Sequence, residues 1–466
     1  MEWSQLLCKE RQRESSSKGT SYYNEFDKDY SRIVYSSSVR RLQDKAQVFP
    51  LQENDFTRTR LTHSLEVASL GRSLAWNIGN WLCEENKLKD FWQVKEFVSI
   101  VETASLVHDL GNPPFGHYGE DIIRKWFKKW FESSEFESLK SKNLEMSDEE
   151  KKDFLYFEGN AQGLRILTKL QILSDEYGAN FTYGTLGALT KYPWYSTSEE
   201  LDPDKPKFGC FQSEKKLFEK IKECTGIGGK RKHPATLLME AADDIAYLPT
   251  DLEDAVKKNA VSWEKIEKAI LPKIEKNHFS LYEKLKENLN TLDERKIPEI
   301  DLVKMQTLKI TIQRILIEEV VETFKNNYDI IMDKGLDGKL IEKSNANYLE
   351  EICSELCGEF VFSNKEVLTL ELVGDKVITE LLTLFVGAIV TIERTDKTKT
   401  KEQKLYNLIS ENFRYAKLFD SGVPYKLEYK DLNLYNRLQL VTDFISGMTD
   451  SYAVNLHQQL LGVKMP

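Results

Sequence analysis

The chain is poor in residues that interrupt helices and in residues that support thiol chemistry. Its 466 residues include 12 prolines, six histidines and six scattered cysteines without a CxxC pair. The absence of a CxxC pair predicts free buried thiols in a reducing compartment. The longest apolar run, around 384–390, is too short to cross a bilayer, and the charged amino terminus is unlike a signal peptide. We therefore expect a cytoplasmic protein with no membrane association.

The charge balance limits the classes of partner. A net charge of −10 argues against a general affinity for nucleic acid, although it leaves room for a local basic patch. The hydrophobic share of 41% and the charged share of 30% are ordinary for a globular protein. The length fits one large domain or two to three smaller ones.

Hydrophobic periodicity predicts helices almost throughout, so the expected fold class is all-α. Two segments break the pattern: 132–153 is rich in Ser, Lys and Glu, and 395–404 reads TDKTKTKEQK. Both are predicted to be solvated linkers. Five helices are expected around the polar residues of interest, and they start or lie near Thr62, Phe97–Leu106, His117, Asn160 and Pro234.

Histidines and aspartates on these apolar helices indicate a metal site. His63 lies in the first helix, His108-Asp109 ends the second, and Asp243-Asp244 lies in the fifth. Consecutive helical residues point about 100° apart, so His108 and Asp109 reach one ion only beside a helix end, which the following GNPP supplies. Imidazole with carboxylate suits a hard-to-borderline divalent metal with positions open to water. Such an ion most often activates water against a phosphate or a carbonyl.

Seven stretches carry a resemblance to a known family. The chain resembles the HD-domain phosphohydrolases and, within them, the bacterial deoxyguanosine triphosphate triphosphohydrolases. The stretches run over nearly the whole chain and are RRLQDKAQVFPL (40–51), RTRLTHSLEV (58–67), HDLGNPPFGHYGE (108–120), FEGNAQGLRIL (157–167), LTKYPW (189–194), LMEAADDIAYLPTDLEDA (238–255) and RLQLVTDFISGMTDSYA (437–453).

The resemblance implies a ligand set and a catalytic pair. By the family pattern the metal ligands are His63, His108, Asp109 and Asp243, and Asp243 is preferred over its neighbour because it precedes Tyr247 by four residues. The implied ion is a transition metal: Mn²⁺, Fe²⁺, Co²⁺ or Ni²⁺. His117 and Glu120 resemble the catalytic pair, and their i, i+3 spacing places them on one helix face.

The substrate contacts implied by the resemblance surround this centre. Arg60 and Lys191 would bind phosphate, Gln47 and Asp251 would hold the sugar 3′-hydroxyl, and Tyr247 would pack beneath the sugar and exclude a 2′-hydroxyl. Asn160 would lie at the active-site wall, although an asparagine there is also typical of a helix cap.

The implied activity is hydrolysis of dGTP to deoxyguanosine and triphosphate by water attack at the α-phosphorus, with Mg²⁺ accompanying the triphosphate. Whether His117 takes a proton from water or gives one to the leaving oxygen stays open. The alternatives are a broader dNTP triphosphohydrolase, another HD phosphohydrolase, or a nucleotide-sensing or single-stranded-DNA-binding HD protein. The resemblance also implies a homo-oligomer, a hexamer or tetramer, with a possible dNTP or single-stranded DNA effector.

The expected organisation has three segments in one continuous structural unit. Residues 1–57 form a helical segment that contributes to the active site, and residues 58–258 form the HD metal-binding catalytic core. Residues 259–466 form a C-terminal helical region for the substrate pocket or oligomer contacts.

Overall fold

A computed structural model provides the structure of the protein. It describes residues 1–15, 19–20, 22–45, 47, 58–142, 144–171, 177–295, 297–392, 399–420 and 432–465, with side chains only to residue 416 in the range that ends at 420. Over these ranges the chain is helical, with three isolated β-bridges and no strand or sheet. The predicted all-α class is confirmed.

The described residues form 22 α-helices, numbered in chain order. Their bounds are α1 Trp3–Leu6, α2 Glu25–Val34, α3 Ser37–Arg41, α4 Arg60–Glu84, α5 Phe91–Val107, α6 Gly116–Phe131, α7 Ser134–Leu139, α8 Asp148–Leu155, α9 Gly159–Arg165, α10 Tyr183–Leu189, α11 Lys215–Thr225, α12 Pro234–Lys257, α13 Trp263–Asn277, α14 Phe279–Glu294, α15 Ile300–Asn326, α16 Tyr328–Asp333, α17 Asn347–Phe360, α18 Lys365–Thr391, α19 Lys401–Leu408, α20 Glu411–Asp420, α21 Leu434–Ser446 and α22 Asp450–Leu460. A π-helical turn, Ile166–Leu170, continues α9.

The chain divides into two compact units. The first comprises Met1–Ser64, Val107–His233 and Leu370–Pro466, and the second comprises Leu65–Leu106 and Pro234–Thr369. Within the second unit, α12 packs on α15 and α17, and α13 packs on α14. The sequence prediction divided the chain into contiguous segments at 57/58 and 258/259, whereas these units combine segments from different parts of the sequence. The predicted division stays a prediction.

The five helices expected near the candidate residues are present as α4, α5, α6, α9 and α12. Pro234 is the first residue of α12, where its missing N–H costs nothing. Phe115 adopts a left-handed conformation just before α6, and its N–H donates to Asp450 Oδ1 at 3.1 Å. None of the described helices combines the length and apolar character needed to cross a membrane.

The prediction of a solvated linker at 132–153 is wrong for most of that segment. Two helices form there, α7 and α8, each capped by a serine side chain at its amino terminus. Phe136, Leu139 and Asp153 are buried, and the Phe136 ring contacts Trp130 of α6. The many charges of this segment mask its few buried positions, of which Phe136 and Leu139 are spaced i, i+3 on α7. In the second predicted linker, residues 395–398 lie outside the described part of the chain, and α19 begins at Lys401.

A buried ion network ties three sections of the first unit together. Arg165 of α9 donates to Asp443 of α21 through Nε and Nη2, with N–O distances of 2.9–3.0 Å, and Nη1 also bonds Glu214. All three residues are essentially excluded from solvent. Breaking a buried pair leaves an uncompensated charge, so the network strongly favours this one arrangement of α9 and α21.

The turn after α5 is fixed by a close backbone approach to α9. A Cβ atom on Gly111 would lie 2.0 Å from the Gly159 oxygen and 2.2 Å from the Gly163 nitrogen. These are backbone atoms, so no rotamer change could relieve the overlap. Only glycine permits the chain to leave α5 at this place, directly after His108 and Asp109.

We expect Gly111→Ala to lower the free energy of unfolding by about 1–3 kcal/mol because α9 must be pushed away. The matched control is Gly163→Ala on the opposite side of the same contact, where a Cβ would meet its nearest atom at an ordinary 3.5 Å. Within a helix that change should be neutral or stabilising by up to about 1 kcal/mol. Urea unfolding followed by circular dichroism measures both. Equal midpoints for the two variants would contradict the assigned contact.

Candidate active site

His63 and His108 form an imidazole pair in the first unit. His63 lies in the first turn of α4, and His108 is the first residue after α5. Their ring centroids are 5.3 Å apart at an interplanar angle of 68°, and both residues are buried. The helix start and the helix end therefore bring together two histidines that are 45 positions apart in the sequence.

Asp109 joins this pair and is held in place by two donors. Arg60 Nη1 donates to its Oδ2 at 2.6 Å, and Asn112 Nδ2 donates to its Oδ1 at 2.8 Å. Oδ2 lies 3.6 Å from His108 Nε2. The predicted ligands His63, His108 and Asp109 are thus grouped with the predicted phosphate contact Arg60. Gly116, with φ of 61°, leaves space for this guanidinium, because a Cβ there would lie 2.5 Å from Arg60 Nη2.

The predicted catalytic pair is hydrogen-bonded at the start of α6. His117 Nδ1 lies 3.0 Å from Glu120 Oε2, while Oε1 of the same carboxylate accepts the Gly159 N–H of α9 at 2.7 Å. Glu120 is buried, whereas the His117 side chain is 71% exposed. A buried, fixed carboxylate therefore orients a solvent-accessible imidazole.

Electrostatics keep Glu120 ionised. Burial opposes its charge, but the His117 hydrogen bond and the nearby cations outweigh burial and lower the pKa of Glu120 to about 2. The same hydrogen bond raises the pKa of His117 above its ordinary value. Since the carboxylate can only accept, Nδ1–H donates to it and Nε2 is the ring nitrogen that can exchange a proton.

Two predicted substrate residues share one small cavity with His108. Asn160 and Lys191 line it together with residues of α9 and α10. The alternative that Asn160 caps the helix is wrong, because Glu158 is the N-cap and its side chain accepts the Asn160 N–H. The Asn160 Nδ2 also donates to Glu158 Oε1 at 2.9 Å, which fixes its orientation.

Three of the remaining predicted residues belong to the second unit. Asp243, Tyr247 and Asp251 are spaced four apart on α12 of the second unit. Burial, and then the Asp251 charge and hydrogen bond, raise the pKa of the Tyr247 hydroxyl. Asp244 pairs with Lys339 at 2.8 Å. Gln47 is half-buried in the first unit, and its Oε1 has no hydrogen-bond partner among the described residues.

Three residues that contribute to the candidate site were not predicted from the sequence. Lys207 Nζ lies 2.9 Å from Glu158 Oε1 and 3.7 Å from Glu120 Oε2, so one lysine links the helix cap to the predicted catalytic carboxylate. Glu158 and Asn112 hold Asn160 and Asp109 as described above. Only the folded structure shows that Lys207 lies near Glu158 and Glu120. Asn112, in contrast, stands within the GNPP stretch, which the sequence predicts to be a turn, three residues after Asp109.

The donor set fits a divalent cation. Two buried imidazoles beside a carboxylate provide nitrogen and oxygen ligands for a borderline metal, without the thiolates of a closed structural zinc site. Asn112 and Arg60 donate hydrogen bonds to the Asp109 carboxylate. Hydrogen bonds of this kind orient the ligands in metal sites.

Comparison with known proteins gives two family matches and full-length relatives. A model described as HD domain matches residues 60–175, and one described as phosphohydrolase-associated domain matches residues 343–459. A deoxyguanosinetriphosphate triphosphohydrolase-like protein of Listeria monocytogenes is 39% identical over 99% of this chain and 100% of its own length. One of Pseudomonas aeruginosa is 35% identical over 100% of both chains. The deoxyguanosinetriphosphate triphosphohydrolase of Salmonella paratyphi A is 32% identical over 94% of both.

We expect Glu120→Gln to lower the pKa of His117 toward the ordinary histidine value of about 6.5, because the charged acceptor is lost while the shape is kept. An NMR titration of the imidazole C–H signals, assigned with His117→Asn, measures the shift. Asp121→Asn is the matched control, since this exposed carboxylate on the same helix pairs with Arg124. An unchanged His117 titration in Glu120→Gln would disprove the electrostatic coupling.

Proposed function

The chain belongs to the HD-domain phosphohydrolases that include the deoxyguanosinetriphosphate triphosphohydrolases, and we propose that it hydrolyses dGTP to deoxyguanosine and triphosphate. The buried His63–His108 pair beside Asp109 carries this proposal, because it supplies the ligands that metal-assisted phosphate hydrolysis needs. The names of the full-length relatives support dGTP as the substrate.

We assign the metal to His63, His108, Asp109 and Asp243. A bound divalent cation, Mn²⁺, Fe²⁺, Co²⁺ or Ni²⁺, supplies Lewis-acid polarisation of the α-phosphoryl group. Asp109 keeps its orientation through Arg60 and Asn112. Asp244 is left out of the set because its carboxylate pairs with Lys339.

Water attacks the α-phosphorus, its oxygen forms the new bond to phosphorus, and the bond between phosphorus and the 5′-oxygen breaks. The attacking water releases a proton to solvent as its oxygen becomes part of the triphosphate, and the leaving 5′-oxygen gains one. His117 serves as the proton donor to the leaving 5′-oxygen. Its raised pKa keeps more of the imidazole protonated near neutral pH, and its exposed side chain can approach a bound substrate. Glu120 holds the ring through Nδ1, so that Nε2 carries the proton that is transferred.

Local cations offset the charge of the triphosphate. The protein carries a net charge of −10, so its overall field repels a nucleotide and binding depends on nearby cations. Arg60 and Lys191 take this role, with Mg²⁺ accompanying the phosphates. Arg60 already lies against the metal ligand Asp109, and Lys191 lines the cavity beside His108.

The deoxyribose is assigned to Gln47, Tyr247 and Asp251. Gln47 and Asp251 hold the 3′-hydroxyl, and Tyr247 lies beneath the sugar and excludes a 2′-hydroxyl. The coupling of Tyr247 to Asp251 supports their acting together. Asn160, fixed by Glu158, forms part of the wall. A homo-oligomer, hexamer or tetramer, and a dNTP or single-stranded DNA effector remain predictions from the family resemblance, as does a cytoplasmic location.

Purified protein loaded with Mn²⁺ should convert dGTP to deoxyguanosine and triphosphate and act more slowly on dATP, dCTP, dTTP and GTP. Liquid chromatography with mass detection identifies every product. Equal turnover of the four dNTPs would replace the dGTP assignment by a broad dNTP triphosphohydrolase. Release of orthophosphate or dGMP would contradict the triphosphohydrolase activity itself.

Separate variants should distinguish metal binding from proton transfer. His117→Ala is expected to retain bound metal and lose about 10²- to 10⁴-fold in kcat, as for a general acid. His63→Ala should lose both metal and activity. His278→Gln is the control, because this histidine bonds Tyr348 in the second unit. Elemental analysis and dGTP turnover are measured on the same samples, and normal turnover in His117→Ala would overturn its assignment.

A further inference from the structure

A second cluster of metal-ligating side chains lies in the first unit. It consists of Cys8 and Glu10, which follow α1, and Cys224 in the last turn of α11. The ligand atoms of the three residues all lie within 4.8 Å of one another, and Cys224 Sγ is 3.9 Å from Glu10 Oε2. The nucleotide chemistry proposed above uses none of these residues.

The backbone that carries the cluster is fixed from several sides. The Gly184 N–H donates to the Cys8 oxygen at 3.0 Å, and the Tyr183 N–H donates to the Glu10 oxygen at 2.8 Å. The buried His233 donates from Nε2 to the oxygen of Leu6 at 3.1 Å. These bonds hold the segment after α1 against the start of α10, so two ligands are preorganised before any ion binds.

We propose that Cys8, Cys224 and Glu10 bind a thiophilic divalent cation of the Zn²⁺ class. Zinc–sulfur bonds of about 2.3 Å and zinc–oxygen bonds of about 2.0 Å place tetrahedral ligand atoms roughly 3.5–3.8 Å apart. The observed separations, none above 4.8 Å, reach that spacing with a contraction of about 1 Å or less. Three protein ligands leave a fourth position for water, which agrees with the exposure of Glu10.

The charged neighbours of the cluster allow a cation to bind. A bound cation displaces the protons of both thiols directly. The nearby ammonium of Lys220 is paired with Glu223 at 3.3 Å, which reduces its repulsion of an ion.

Cadmium titration of the full-length protein, reduced with a phosphine, tests the proposal. Thiolate-to-cadmium charge transfer gives an ultraviolet absorption band that imidazole and carboxylate ligands do not give, so the HD site stays silent. We expect the band to grow to one equivalent of Cd²⁺, and Zn²⁺ should abolish it by competition. This readout does not depend on activity towards nucleotides.

Single substitutions of the proposed ligands test which residues bind the ion. Cys8→Ser and Cys224→Ser should each remove most of the band, and Glu10→Gln should weaken the apparent affinity at least about tenfold. Cys83→Ser is the matched control, because Cys83 is also a half-buried free thiol but lies on α4. Circular dichroism checks folding, and Glu10 is exposed enough for its variant to fold. No band in the unaltered protein, or a band unaffected by all three cluster variants, would overturn the proposal.

Discussion

The close contact between Gly111 and α9 is the constraint on which the candidate site in the first unit depends. Because a side chain at Gly111 would overlap backbone atoms of Gly159 and Gly163, the segment that follows His108 can run directly against the first turn of α9. The same turn of α9 donates its Gly159 N–H to Glu120. One backbone contact therefore positions both the segment that carries predicted metal ligands and the predicted catalytic pair.

Charge is distributed around this contact so that Glu120 remains ionised although it is buried. Glu120 loses solvation but gains His117, Arg124 and Lys207, and its pKa falls to about 2. Glu158 is buried completely, yet it caps α9 and binds Lys207. Arg124 and Lys207 thus place two cations beside the fixed carboxylates of Glu120 and Glu158.

The sequence predicted the elements more successfully than the contacts between them. Apolar periodicity is a local property, so helices such as α4 and α12 are predictable, as is the end of α5 close to His108. The pairing of Arg60 with Asp109 and the approach of Lys207 to Glu120 depend on long-range folding, which no local pattern encodes. The linker prediction for 132–153 is wrong because the exposed charged residues of this segment outnumber its few buried residues. The ligand and substrate roles came from family resemblance and stay predictions.

The position of bond cleavage tests the central claim most directly. Hydrolysis of dGTP in water enriched in ¹⁸O, followed by mass spectrometry of the products, identifies the atom that water attacks. Attack at the α-phosphorus with loss of the 5′-oxygen predicts one ¹⁸O atom in triphosphate and none in deoxyguanosine. Label in the deoxyguanosine hydroxyl, or in orthophosphate released beside dGDP, would contradict the account.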